Sequence, residues 1–164
     1  MNIVEIKEKM KTIQNALLEF LEDESNSEEN YENFIKVVGD FQITKDKYKF
    51  KSIMQLINAI GNNHYRVTNF ICKLEQILDH FKKDLQNYFS NSEIFDIFKS
   101  NKRILLFLIE EKIMMMDEYI ILRILNPNFE RMKYVEYFAP EIKPFFTKEF
   151  ISKYCNKFPS LKNE

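Results

Sequence analysis

Two histidines, His64 and His80, and two cysteines, Cys72 and Cys155, are the residues best suited to bind a metal or act as nucleophile and base. Cys72 and His80 fall on one expected helix, eight residues apart. At ~1.5 Å rise per residue they stand about 12 Å from each other, too far to share one zinc. Cys155 has no neighbouring His, and a Cys/His hydrolase would also need an orienting group and an oxyanion donor, which nothing here marks. No GxGxxG, HExxH or GxSxG motif occurs, nor a GxxxxGK followed by Ser or Thr. With two glycines in 164 residues, a loop that cradles phosphate with successive glycine backbones is excluded. The paired carboxylates Asp23/Glu24 and Glu110/Glu111 fall at helix ends, where solvated charge accounts for them. The expectation is a protein that is not an enzyme and carries no cofactor and no metal.

One cluster joins positive charge to aromatic rings: Lys45, Lys47, Lys49 and Lys51, interleaved with Tyr48 and Phe50. Phosphate contacts with base stacking use that combination, so Lys47, Lys49 and Lys51 are candidate nucleic-acid contacts. The competing reading is a solvated edge whose two aromatics dock on the core. A net charge of −1 gives no global attraction to nucleic acid or anionic membrane. Met114-Met115-Met116 is the other unusual run: exposed it would make an adaptable binding patch, buried it fills space between helices, and burial is the expectation.

The elements that would position these residues read as helices. Sixteen Phe and eight Tyr against two Gly and four Pro leave too few turn formers for an all-β chain. Ile3, Ile6, Met10, Ile13, Leu17, Phe20 and Leu21 recur at steps of three and four, the mark of an amphipathic helix over 2–21. Ser25 and Glu28 suggest a capping box for a second helix through Tyr31, Phe34, Ile35 and Val38, ended by Gly39 in a left-handed conformation. A third helix is expected over about 46–60, ended by Gly61, with Asn62-Asn63-His64 as a turn. A fourth runs from 66 or 69 to 88. Ser90 with Glu93 caps a helix near 92–99, a polar break at Ser100-Asn101-Lys102 comes next, and a denser apolar helix covers 102–112. Asp117 caps a helix to Leu125, and Asn126-Pro127 restarts another. Pro140 and Pro144 keep the C-terminal helices short, and Thr147 caps the last of them.

The longest apolar run, Ile104–Ile109, is far below the ~20 residues of a bilayer span. Glu5 and Glu8 break the pattern of a signal peptide. Two isolated thiols suit a reducing compartment, so the expected location is cytoplasmic.

Two hairpins overlay at an offset of 37 residues: Ile57 on Ile94, Ile60 on Ile97, Arg66 on Arg103, Val67 on Ile104, Phe70 on Phe107 and Ile71 on Leu108. That period falls in the ~33–47 residue range of stacked two-helix units. The runs NSEIFDIFKSNKRILLFLIEEKI, MDEYII and YFAPEIKPFF, with NNHYRVTNFICKLEQIL before them, resemble the N-terminal helical region, a domain of unknown function, of ankyrin-repeat proteins expanded in trichomonad protozoa. The resemblance covers roughly residues 2–150 and implies an interaction or scaffold role, with no functional residues to carry over. The ankyrin signature TPLHxA and its Gly-containing turn are missing, and Ile104–Ile113 is similar only to the second ankyrin helix. By that likeness the chain is a leading segment, and an ankyrin array would lie beyond Glu164 or be absent.

The fold expected is therefore all-α, eight to ten mostly short helices in an irregular stack of antiparallel hairpins, ankyrin-like or α-solenoid-like. One domain is expected over 1–164: a helical pair at 2–43, repeat-like hairpins at 44–125, short helices at 126–156 and a tail at 157–164. The expected role is binding an unidentified protein partner through the turns Asn62, Asn63, His64 and Tyr65 and Ser100, Asn101 and Lys102, with nucleic acid as the alternative. Nothing in the sequence decides the oligomeric state.

Overall fold

The computed structural model describes residues 2–25, 28–41, 46–63, 70–125 and 147–156. Among them are nine α-helices and no strand. No helix among them is long and apolar enough to cross a membrane. The chain divides into two compact units, Met1–Asp84 and Leu85–Glu164.

The first unit contains α1 (Ile3–Glu22), α2 (Glu28–Phe41), α3 (Lys47–Asn63) and α4 (Phe70–His80). Helix α1 packs on α2 and α4, and α3 packs on α4. The expected stripe of α1 becomes its buried face from Ile13 onward, with Leu17, Phe20 and Leu21 closed off by Phe34 and Val38 of α2. Phe50, Ile53, Met54 and Ile57 do the same for α3. Asp46 starts that helix, its Oδ1 accepting from Tyr48 N at 2.7 Å and Lys49 N at 3.4 Å.

Both glycine stops are corrected. Helix α2 continues through Gly39 to Phe41, α3 continues through Gly61 to Asn63, and no described glycine has positive φ. A glycine in a helix costs about 1 kcal/mol relative to Ala, less than the ~1.5–3 kcal/mol gained by burying a Phe. Phe41, 2 % exposed, extends the buried row of Phe34 and Val38, and that row outweighs the penalty at Gly39. The Ser25–Glu28 capping box is absent too: α2 begins at Glu28, whereas a box needs its Glu three residues inside the helix. The Ser25 N–H and hydroxyl donate instead to Asp23 Oδ1, at 3.0 and 2.5 Å. The single helix expected to reach 88 is broken at Phe81, between α4 and α5 (Lys82–Tyr88). Phe81 keeps its bond to Ile77 O at 3.1 Å while its ring meets Phe50 edge-on at 5.8 Å.

In the second unit α6 (Asn91–Phe98) packs on α7 (Lys102–Glu110) and α8 (Glu118–Leu125), with α9 (Lys148–Tyr154) near the end. The caps read from the sequence form here. Ser90 Oγ accepts from Glu93 N at 3.2 Å while Glu93 Oε1 accepts from Ser90 N at 3.1 Å, a complete capping box. Asp117 Oδ1 accepts from Ile120 N, and Thr147 Oγ1 accepts from Phe150 N. Helix α7 ends in a Schellman motif: Ile113 N–H donates to Leu108 O and Lys112 N–H to Ile109 O. Lys112 holds the left-handed position, with φ of 57°, where glycine is usual. Met114 and Met116 are buried as expected, but Met115 is 56 % exposed. The restart at Asn126-Pro127 and the breaks at Pro140 and Pro144 lie outside the described residues.

Candidate functional site

The two candidate turns differ from what their polarity suggested. Asn62 and Asn63 belong to the last turn of α3, because that helix runs past Gly61. His64 and Tyr65 lie outside the described residues. Ser100 is exposed in the connection between α6 and α7, and Lys102 opens α7. Asn101 is 9 % exposed, and its Oδ1 accepts from Ile104 N at 3.1 Å. Its amide oxygen is thus committed to capping α7 and is not displayed for a partner.

The basic cluster is divided by its helix. A step of four residues places Lys47 and Lys51 on neighbouring turns of α3, and a step of two sends Lys49 to the opposite side. Lys49 Nζ lies over the Phe41 ring at 5.4 Å from its centroid. Of the two aromatics expected to dock on the core, Phe50 is fully buried and Tyr48 is 78 % exposed. Tyr48 therefore stands with Lys51 on the solvent side, while Lys47, like Lys49, is half-buried. Lys45 lies outside the described residues.

Cys72 and His80 are both exposed on α4. Among the described residues no three His, Cys, Asp or Glu side chains gather where they could hold a metal ion. The His80 ring meets Tyr31 edge-on at 6.3 Å and Phe81 at 4.8 Å. Burial, and secondarily the carboxylate of Asp79, pushes the Tyr31 hydroxyl above its ordinary pKa.

Three arrangements have no counterpart in the sequence motifs. Lys73 is 6 % exposed on α4, and its ammonium donates to the carbonyls of Phe20, Leu21 and Asp23 at 2.8, 3.4 and 2.5 Å. Those are carbonyls at the end of α1, where Phe20 O otherwise receives only the Asp23 N–H at 3.4 Å, so Lys73 caps that helix from a distance. Arg123 of α8 pairs with Asp96 of α6 at 2.5 Å and stacks over Phe95, 4.7 Å from its centroid. A cleft of about 330 Å³ between α8 and α9 is lined by Glu118, Ile121, Phe150, Lys153 and Tyr154 among others. There the Tyr154 hydroxyl and the Lys153 ammonium both donate to Glu118 Oε1. The Tyr154 hydrogen bond, then Lys153, holds the Glu118 carboxyl below its ordinary range. A carboxylate already occupied by two donors is a tie between helices and a poor general base. A basic residue at an apolar helix position is the signal that points to Lys73; its i+1 neighbour Leu74 and the step to Ile77 place it on the buried side of α4.

The two overlaid hairpins agree in their first arms and differ in their second. Ile57 and Ile60 are buried, as are Ile94 and Ile97. Beyond the turn, Phe70 is buried where Phe107 is half-buried, and Ile71 is half-buried where Leu108 is buried. An offset of 34 pairs buried Phe70 with buried Ile104 and buried Leu74 with buried Leu108, but sets half-buried Ile71 on buried Leu105 and buried Lys73 on half-buried Phe107.

Comparison of the chain with protein-family models, with curated proteins and with solved structures returned no match.

Proposed function

We propose that the chain is a non-enzymatic protein–protein interaction or scaffold module made of repeated helical hairpins. The observation that carries this reading is the matched burial in the first arms of the two hairpins. At the offset of 37 residues, Ile57 and Ile94 are both buried, and so are Ile60 and Ile97. Units of this kind bury one face on their neighbours and present the other, with the turns, to partners. The resemblance to the leading helical region of trichomonad ankyrin-repeat proteins supports the same role and makes an ankyrin-like or solenoid-like stack the architecture proposed.

Crosslinking capture from the source cell tests this. The wild-type chain should enrich a discrete partner that Lys102→Glu or Tyr65→Ala loses. Enrichment no greater than with an unrelated helical protein overturns the reading.

A second reading, single-stranded nucleic acid, is favoured by one feature, the exposed Tyr48 ring between Lys47 and Lys51. Binding of an oligonucleotide that falls steeply with salt and is lost in Tyr48→Ala would select it.

A further inference from the structure

Helix α1 is longer than either described helix packed on it, α2 or α4. Its twenty residues span about 30 Å at ~1.5 Å per residue, whereas the fourteen of α2 span about 21 Å. The end of α2 meets α1 at its third turn: a cleft of about 270 Å³ is lined by Lys9 and Thr12 from α1 and by Val37, Asp40 and Phe41 from α2. Every buried side chain of α1 lies at Ile13 or later. The residues before Lys9 therefore extend past the end of α2, with Ile3 71 % and Val4 64 % exposed and Ile6 and Met10 half-buried.

This overhang is built as a helix. Asn2 Oδ1 accepts from Glu5 N at 2.9 Å, which caps the first turn, and Asn2 Nδ2 returns a bond to Glu5 Oε1 at 3.2 Å. Its apolar residues keep the seam of the buried half: Ile3, Ile6 and Met10 stand at steps of three and four that continue into Ile13, Leu17 and Phe20. That spacing is the a/d pattern of a coiled coil. The row on one side of the seam is Val4, Lys7 and Lys11, and both lysines are exposed. The row on the other side carries Glu5 and Lys9, whose charges offset.

We infer that the N-terminal turns of α1, with the seam Ile3/Ile6/Met10 and the basic row Lys7/Lys11, dock an amphipathic helix of a partner protein whose flank is acidic. This rests on the interaction reading above but moves the contact from the hairpin turns to α1. Charge selects the occupant. The seam is flanked by Lys7 at the e position and Lys9 at the g position. An antiparallel second copy of this chain opposes lysine to lysine at both. A parallel copy sets Lys7 against Asn2 and Lys9 against Gln14, with no opposite charge to gain. An acidic helix meets the Lys7/Lys11 row with opposite charge while its apolar face covers Ile3 and Ile6. The cap at Asn2 lowers the ordering cost, because the receiving helix already exists.

The test uses the full chain and two synthetic three-heptad peptides with Leu and Ile at a and d, one with Glu and the other with Lys at e and g. The Glu peptide is expected to bind about tenfold or more tighter than the Lys peptide. Ile3→Asp, at an exposed position that leaves the fold intact, should lose that binding. Lys7→Glu with Lys11→Glu should reverse the preference between the peptides. Equal affinity for the two peptides, binding of neither, or binding that survives Ile3→Asp overturns the proposal. So does a dimer in sedimentation equilibrium that Ile3→Asp converts to monomer. A cellular partner lost with Lys102→Glu and kept with Ile3→Asp overturns it as well, and leaves the interaction reading standing.

Discussion

The ammonium of Lys73 lies 2.8 Å from the carbonyl oxygen of Phe20, 53 residues earlier in the chain, and the same cation lies over the Phe20 ring at 5.4 Å. A charge this buried is tolerated because three carbonyls at the negative end of α1 replace its water. The contact fixes α4 against the last turn of α1 and so sets where the first unit closes.

Lys73→Met keeps the aliphatic stem but takes the ammonium from all three carbonyls, leaving Phe20 O only the long bond from Asp23 N. The expected loss is about 1–3 kcal/mol of stability, the cost of buried acceptors left unsatisfied. Denaturant unfolding would measure it, and a midpoint equal to wild type would show that water replaces the ammonium without penalty.

Lys112 occupies a left-handed backbone position that costs a side-chain-bearing residue roughly 1–2 kcal/mol. Lys112→Gly should raise stability by about 1 kcal/mol, and Lys112→Val, β-branched, should lower it by a similar amount or more. Thermal melts of the two variants should move in opposite directions.

Gly39 shows the converse. It lies inside α2, and a Cβ built on it meets nothing within 4 Å. Gly39→Ala should stabilise by about 0.5–1 kcal/mol through helix propensity alone. A drop in the melting midpoint would mean that the helix does not pass through this residue.

The tie between α8 and α9 should depend on pH. No residue of α9 is fully buried, so its hold on α8 draws on Glu118 with Tyr154 and Lys153. The folded Glu118 carboxyl titrates below its unfolded value. Its contribution is therefore complete above the ordinary carboxylate pKa of about 4.3 and is lost as pH falls through the lower folded value. Amide exchange of 148–154 should accelerate as pH falls below about 4.3 by more than the intrinsic pH dependence accounts for. Tyr154→Phe should bring the transition to higher pH. Exchange that tracks the intrinsic rate alone would show that the ionised carboxylate does not hold α9.

Much of the helical framework is legible in the sequence because its signals are local. Apolar steps of three and four in α1 and α3 report which face will be buried, whatever buries it. Ser90 with Glu93, Asp117 and Thr147 cap within three residues of themselves, so no distant contact is needed to read them. The candidate turns are less legible. Polarity and the preceding glycine point to a turn at Asn62 and Asn63, yet α3 runs through both. Asn101 is polar for the sake of its own helix. In α3 the alternation of lysine and aromatic hides that Lys49 and Lys51 leave on different sides.

By itself the sequence determined that this chain is helical, where most helices begin, and which stripes are apolar. These properties come from periodicity and short-range hydrogen bonding. Only the tertiary structure decided that both described glycines stay helical while a lysine takes the left-handed turn, that Lys73 is a cap rather than a surface charge, and that the first turns of α1 extend past the end of α2. Each of those depends on what another helix places alongside, and a one-dimensional pattern carries no record of its neighbours in space.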